Sequence, residues 1–228
     1  MNYYGDIVAS NANLGFMFDE NFVSAYKNCV EADRGRLLLN GYDIRWRIHT
    51  LLFAAKLATN LDGDFVDCGC GFGLFASAIL SYINLQNTNK KYYMFDTFEG
   101  LSEKYSTSDE MIRNTLIYKT IPSYYDEVVE RFKNKEYVRI VKGAVPESLA
   151  EVNIDKVAFL SIDMNCVIPE EKALEHFWPR LVSGGVIVFD DYGFPKHEEQ
   201  KKAHDSFAAK HNLVIYTSPT GQGILIKP

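Results

Sequence analysis

The sequence predicts an α/β fold: a Rossmann-like doubly wound sheet, mostly parallel, with a C-terminal antiparallel hairpin and preceding N-terminal helices. Three observations predict it. From residue 64 onward, short apolar runs take turns with helical stretches, the pattern of a parallel sheet covered on both faces. One run, FVDCGCGFG at 65–73, ends in a glycine-rich turn and feeds a helix. Four runs finish on acidic residues: Asp67, Asp96, Asp163 and the pair Asp190–Asp191. Ligands of open α/β sheets bind outside the carboxyl ends of the strands, so this topology would gather sequence-distant acids around one crevice.

The elements follow in order. Residues 18–32 and 43–59 have helical periodicity; in the second, Ile44, Ile48, Leu51, Leu52, Ala55 and Ala58 recur at helical spacing. Both precede the first strand of the alternating pattern. Residues 1–60 are therefore expected to form a helical extension, a substrate lid or homodimer contact, ahead of a core domain at 61–228. Strands are expected at DFVD, KYYMFD, YVRIVKG, KVAFLSID and GGVIVFDD, and helices at 73–85, 122–134, 169–180 and 196–210. LVIYTSPTGQGILIKP reads as two strands around a Ser-Pro-Thr-Gly turn, an antiparallel hairpin at one sheet edge. The longest connection, 97–121, is polar and rich in Tyr, Ser and Thr, and is expected to be a functional or mobile loop.

Composition narrows the function. At 228 residues, 47% hydrophobic and 24% charged, the chain suits one soluble globular domain. A net charge of −6 argues against binding a nucleic-acid backbone, which needs clustered Lys and Arg. The first residues lack a basic stretch followed by an apolar core, and LLFAAKLA and GGVIVF are too short to span a bilayer, so neither a signal peptide nor a membrane span is expected. Cys29, Cys68, Cys70 and Cys166 contain no CxxC pair for zinc and read as buried or turn thiols in a reducing cytoplasm.

The glycine-rich turn lets backbone N–H groups approach a nucleotide-like ligand. Asp96, 23 residues after Gly73, offers two acceptor oxygens to the vicinal hydroxyls of a ribose, whether in NAD or in S-adenosylmethionine. The turn separates the two. A dinucleotide fingerprint requires GxGxxG, and counted from Gly69 its third glycine is Leu74. What stands instead is DxGxGxG. Asp67 would repel a pyrophosphate but attract the sulfonium and amino group of S-adenosylmethionine, so its charge favours the cationic cofactor.

These motifs resemble class I S-adenosylmethionine-dependent methyltransferases and, more closely, the macrocin O-methyltransferase family, whose members methylate sugar or aromatic hydroxyls of natural products. The resemblance runs from about residue 45 to the C-terminus. GDFVDCGCGFG, FDTFEGL at 95–101, VKGAVPESL at 141–149, FLSID and WPRLVSGGVIVFDDYG at 178–193 carry it. It implies an O-methyltransferase acting on a small-molecule hydroxyl. It implies that Asp67, Gly69, Cys70, Gly71 and Gly73 hold the methionine end, that Asp96 binds the ribose with Thr97 and Phe98 beside it, and that Gly143 and Ala144 flank the adenine. Asp163, Asp190 and Asp191 match positions where relatives bind Mg²⁺, with Asp163 also at the cofactor. Three carboxylates suit Mg²⁺ chemically too, leaving positions open for a substrate, while Asp190-Asp191-Tyr192-Gly193 reads otherwise as a plain turn. Many relatives carry Asp-x-Asp-x-Tyr where this chain has Asp163, Asn165 and Val167. Asn165 keeps an oxygen but cannot serve as a carboxylate base. A cofactor-binding protein with lost or altered catalysis is therefore the alternative, with an NAD-dependent oxidoreductase behind it.

In the leading reading the sulfonium already activates the methyl, and the protein must align an oxygen behind it and remove its proton. Mg²⁺ would acidify that hydroxyl, and Asp191 or Asp163 is the expected base. His49 reads as structural, His176 as core or surface, and His204 and His211 as surface residues. His197 follows Asp191 closely enough to enter the crevice as a base or substrate contact. Tyr42, Arg45 and Arg47 read either as groups that gate the cofactor or touch substrate, or as helix-surface charges with a capping aromatic.

Overall fold

The computed structural model describes residues 3–36, 38, 42–118 and 123–228. Its first element is one the sequence reading did not anticipate. Tyr3–Gly5 (β1) and Val8–Ser10 (β2) form an antiparallel hairpin, turned by Asp6 and Ile7 at positive φ. Helices Glu20–Asp33 (α1) and Arg45–Ala58 (α2) follow. The alternating part then runs β3 (Asp64–Cys68), α3 (Leu74–Tyr82), β4 (Tyr92–Asp96), α4 (Ser108–Tyr118), α5 (Tyr125–Phe132), β5 (Val138–Lys142), β6 (Val157–Ile162), α6 (Val167–Phe177), β7 (Leu181–Phe189), α7 (Glu198–Lys210), β8 (Tyr216–Thr217) and β9 (Gly223–Ile226).

The sheet order is β5-β4-β3-β6-β7-β9-β8. Strands β3 to β7 pair in parallel, and β9 and β8 close the edge antiparallel. This is the expected doubly wound sheet with its terminal hairpin. The winding reverses between β3 and β6, which pair directly, and that switch point is where such sheets bind ligands. The register sets Cys68 beside both Phe95 and Ile162, and Ile162 beside Phe189. Asp96, Asp163 and Asp190, each one residue further on, therefore emerge at one level.

Alternation along the strands divides the core in two. Phe65, Phe159, Val186 and Val188 pack with α1, α2 and α3, while Val66, Leu160, Ile187 and Phe189 pack with α6 and α7. The two N-terminal helices thus fill one covering layer. His49 fits the structural reading, its ring stacked on Phe16 at 3.8 Å. His204 corrects the sequence reading: it is buried, stacked on Phe189 at 4.2 Å, with Nε2 3.0 Å from Glu170 Oε2. The four cysteines are buried and free. No helix among the described residues is long and apolar enough to cross a membrane.

Residues 97–121 are also corrected, because α4 forms inside them. Its start is a capping box. Glu110 Oε2 accepts the Thr107 N–H at 2.7 Å, and the Glu110 N–H donates to Thr107 Oγ1 at 3.3 Å. Glu110 Oε1 also accepts the Val167 N–H at 2.8 Å, tying α4 to the first turn of α6. Residues 119–121 of the expected loop, and residue 122 of the next expected helix, lie outside the described residues. Glu110→Ala is expected to cost about 1–2 kcal/mol, read as a lower urea midpoint.

Candidate active site

The glycine-rich turn is shaped by the closeness of β3 and β6. Gly69 sits at φ +86°, and a Cβ there would lie 1.9 Å from the Asp163 carbonyl oxygen. Only glycine lets the two strand ends meet. Two residues on, Gly71 has open space where its Cβ would be, and its N–H donates to Asp96 Oδ2 at 2.8 Å. Asp96 Oδ1 accepts the Phe98 N–H at 2.6 Å and the Tyr124 hydroxyl at 3.3 Å. The end of β4 is thereby tied both to the turn and to the start of α5. Burial pushes the Asp96 carboxyl above its ordinary range, while these donors pull it back.

A pocket opens over this point. Gly69, Asp96, Thr97, Gly143, Ala144 and Asp163 line it, together with Tyr124 and Asn165. Asp67, Cys70, Gly71, Gly73 and Phe98 do not; the Phe98 side chain is wholly buried beside Tyr124 and Tyr125. Asp67 lies fully buried in β3. Its Oδ2 accepts the Tyr92 hydroxyl at 3.3 Å, its Oδ1 has no partner in good hydrogen-bond geometry, and burial pushes its carboxyl up to about 7 against the pull of the Tyr92 and Ser161 hydroxyls.

Beside the pocket, one oxygen each of Asp163, Asp190 and Asp191 lie within 4.8 Å of one another. Arg47 reaches them from α2. Its Nη1 donates to Asp190 Oδ2 at 2.6 Å and to the Asp190 carbonyl at 2.8 Å, and its Nε donates to Asp6 Oδ2 at 3.0 Å. Gln222 Nε2 donates to Asp190 Oδ1 at 3.0 Å, and Asn165 Nδ2 to Asp163 Oδ1 at 3.1 Å. Asp191 has looser neighbours, His197 Nε2 at 3.4 Å and Arg47 Nη1 at 3.9 Å. Burial, reinforced by the neighbouring carboxylates, raises Asp163 well above the usual range and Asp191 to about 7.

Arg47 is not a helix-surface charge: it is a buried guanidinium between the N-terminal hairpin and the acid cluster. Arg45 instead pairs with Asp43, two residues away. His197 stands at the acid cluster, its Nε2 3.4 Å from Asp191 Oδ2, and is not among the residues that line the pocket. Tyr124 was not singled out, although its hydroxyl reaches Asp96. The model of the macrocin-O-methyltransferase (TylF) family matches residues 46–218.

The chain belongs to the macrocin O-methyltransferase family. A curated relative of this family member, the 8-demethyl-8-(2,3-dimethoxy-alpha-L-rhamnosyl)-tetracenomycin-C 4'-O-methyltransferase of Streptomyces olivaceus, is 25% identical over 146 residues, 60% of this chain and 55% of the relative. The chain thus matches about half the length of that protein. Among solved structures, the O-methyltransferase NovP superposes with a TM-score of 0.72 at 17% identity, covering 94% of this chain and 99% of NovP. The calicheamicin methyltransferase CalS11 gives 0.65 at 16% identity, covering 96% and 98%. The SAH-bound methyltransferase PaMTH1 of Podospora anserina gives 0.57 at 13%, covering 99% and 100%. These three share the fold. Family membership leaves the nicotinamide alternative without support.

Proposed function

We propose that the chain transfers the methyl group of S-adenosylmethionine to a hydroxyl of a small molecule, a sugar or related natural product, with Mg²⁺ at the acid cluster. The observation that carries this reading is the position of Asp163, which lines the glycine-turn pocket and belongs to the three-carboxylate cluster. One residue joins a cofactor pocket to a site for acceptor chemistry.

The residues present fit both groups. Asp67, with an orphaned buried oxygen behind the turn, suits a cationic ligand better than an anionic one. Three carboxylates are a hard-oxygen donor set suited to Mg²⁺, although Arg47 and Gln222 already engage Asp190. When bound, the ion would supply positive charge that acidifies a nearby hydroxyl. The chain's own residues do the rest. Gly69 and Gly71 leave room for the methionine end, Asp96 takes the ribose, and Gly143 and Ala144 flank the base. Asp191 is the proton acceptor. Both Asp190 oxygens are held by strong donors and Asp163 takes the Asn165 amide, whereas Asp191 has only distant partners.

Asp191→Asn is expected to lower kcat by about 10²–10⁴ while leaving S-adenosylhomocysteine affinity within a few-fold, measured by label transfer and calorimetry. Asn165 favours a second reading, cofactor binding without turnover, because an amide stands against Asp163 where a second acid would supply a base. Incubation with methyl-labelled S-adenosylmethionine and a panel of hydroxylated sugars and glycosides, with and without Mg²⁺, decides between them. Mg²⁺-stimulated transfer supports the first reading. Cofactor binding with no transfer supports the second.

A further inference from the structure

The amino-acid end of S-adenosylmethionine carries an α-carboxylate as well as two cationic groups. The residues lining the pocket include acids and neutral groups but, among the described residues, no Lys, Arg or His. A carboxylate buried beside Asp96 and Asp163 without a cation would be strongly unfavourable. Arg113 touches the lining only from behind, its Nη2 3.3 Å from the Asn165 carbonyl oxygen, and a cluster of guanidiniums stands at the glycine-rich turn. Where α1 ends, Arg34 and Gly35 take positive φ, and the chain turns so that the Arg36 guanidinium lies 4.4 Å over the ring of Phe72. Phe72 sits between Gly71 and Gly73, and its ring contacts Tyr124, a pocket-lining residue, at 4.3 Å.

Three guanidiniums share one carboxylate there. Arg34 Nε, Arg36 Nη2 and Arg131 Nη2 lie 3.3, 2.6 and 3.1 Å from the oxygens of Glu127. The cluster keeps two excess positive charges on a chain whose net charge is −6. Arg36 Nη1 is buried and, among the described residues, has no hydrogen-bond partner. A guanidinium with one edge fixed by Glu127 and the other unpaired is pre-organised to receive a second carboxylate. Gly71, next to Phe72, has open space where a Cβ would be.

We infer that Arg36 binds the α-carboxylate of the cofactor, Nη2 remaining on Glu127 while Nη1 takes the ligand. The inference rests on the S-adenosylmethionine reading above and adds to it a cation from the N-terminal segment. That segment would then complete the cofactor site rather than only cover it.

Calorimetry of Arg36→Gln with two ligands tests it. S-adenosylhomocysteine carries the amino-acid end; 5′-methylthioadenosine keeps the nucleoside and sulfur but lacks that end. The variant is expected to bind S-adenosylhomocysteine about 10- to 100-fold more weakly and methylthioadenosine within two-fold of the parent, which also shows that the pocket is folded. Equal affinity of both proteins for S-adenosylhomocysteine, or an equal loss for both ligands, overturns the assignment of Arg36 alone. A parent protein that binds neither nucleoside overturns the cofactor reading and this inference with it.

Discussion

Replacing Arg47 by leucine is expected to destabilise the protein by about 3–5 kcal/mol, the usual consequence of removing one partner from a buried charge cluster. Arg47 is 6% exposed, and its guanidinium donates to Asp6, to Asp190 and to the carbonyls of Asp190 and Thr220. Leucine would fill part of the space and leave two buried carboxylates facing one another's field. Tyr42 still donates to Asp6 and Gln222 to Asp190, but neither supplies charge. The loss has a location as well as a size. Ile7 holds φ +59°, a conformation that costs a β-branched residue about 1–3 kcal/mol, and the burial of Asp6 by Arg47 keeps that turn in place. Urea unfolding should show the lower stability. Limited proteolysis should show earlier cleavage within residues 3–12 than in the parent. Arg47→Lys should fall between the two proteins, because an ammonium restores the charge but not the planar fork that spans four acceptor groups. A leucine variant as stable as the parent would overturn the assignment of Arg47 as the partner that holds these carboxylates in the fold.

The parts of this architecture that were legible in the sequence share one physical property: their signals are local. Strand β6 is buried at every position, and VAFLSI is accordingly apolar at all positions but Ser161. The acids stood out because a parallel sheet places every strand's carboxyl end at the same edge. The parts that escaped depend on distant partners or on weak local cues. Arg45 and Arg47 look alike in RWRIH, yet Arg45 pairs two residues away whereas Arg47 meets groups 41 and 143 residues away. Spacing on α2 could not say which guanidinium turns inward. The β1–β2 hairpin turns on Asp-Ile, without the Asn-Gly or Asp-Gly that marks a tight turn. Helix α4 did carry a signal, the Thr107-Ser108-Asp109-Glu110 capping box, which the polar composition of its surroundings masked.

Asp67→Asn should raise stability and lower cofactor affinity at once. With burial holding the Asp67 carboxyl at about 7, the folded state keeps a proton that the unfolded chain, at 3.8, has already lost. Between roughly pH 4 and 7 the folded state therefore binds more protons, and stability falls as pH rises. Above 7 the full penalty is present, about 4 kcal/mol at 1.36 kcal/mol per pH unit. Asparagine is nearly isosteric and carries no charge, so its advantage in urea midpoint should be large at pH 8, shrink on acidification and vanish near pH 4. Cofactor binding should respond in the opposite sense. A cation placed against the turn favours ionised Asp67, so the parent's affinity for S-adenosylmethionine should rise between pH 6 and 8. In the asparagine variant that slope should flatten and the affinity at pH 8 should drop about 10- to 100-fold. The burial of Asp67 is the structural reason to expect both effects from one group. A carboxylate buried in β3 costs stability and attracts a cation bound at the turn, so stability is given up where function needs charge. A variant that is less stable at every pH and binds the cofactor as the parent does would show instead that Asp67 serves only its hydrogen bond from Tyr92.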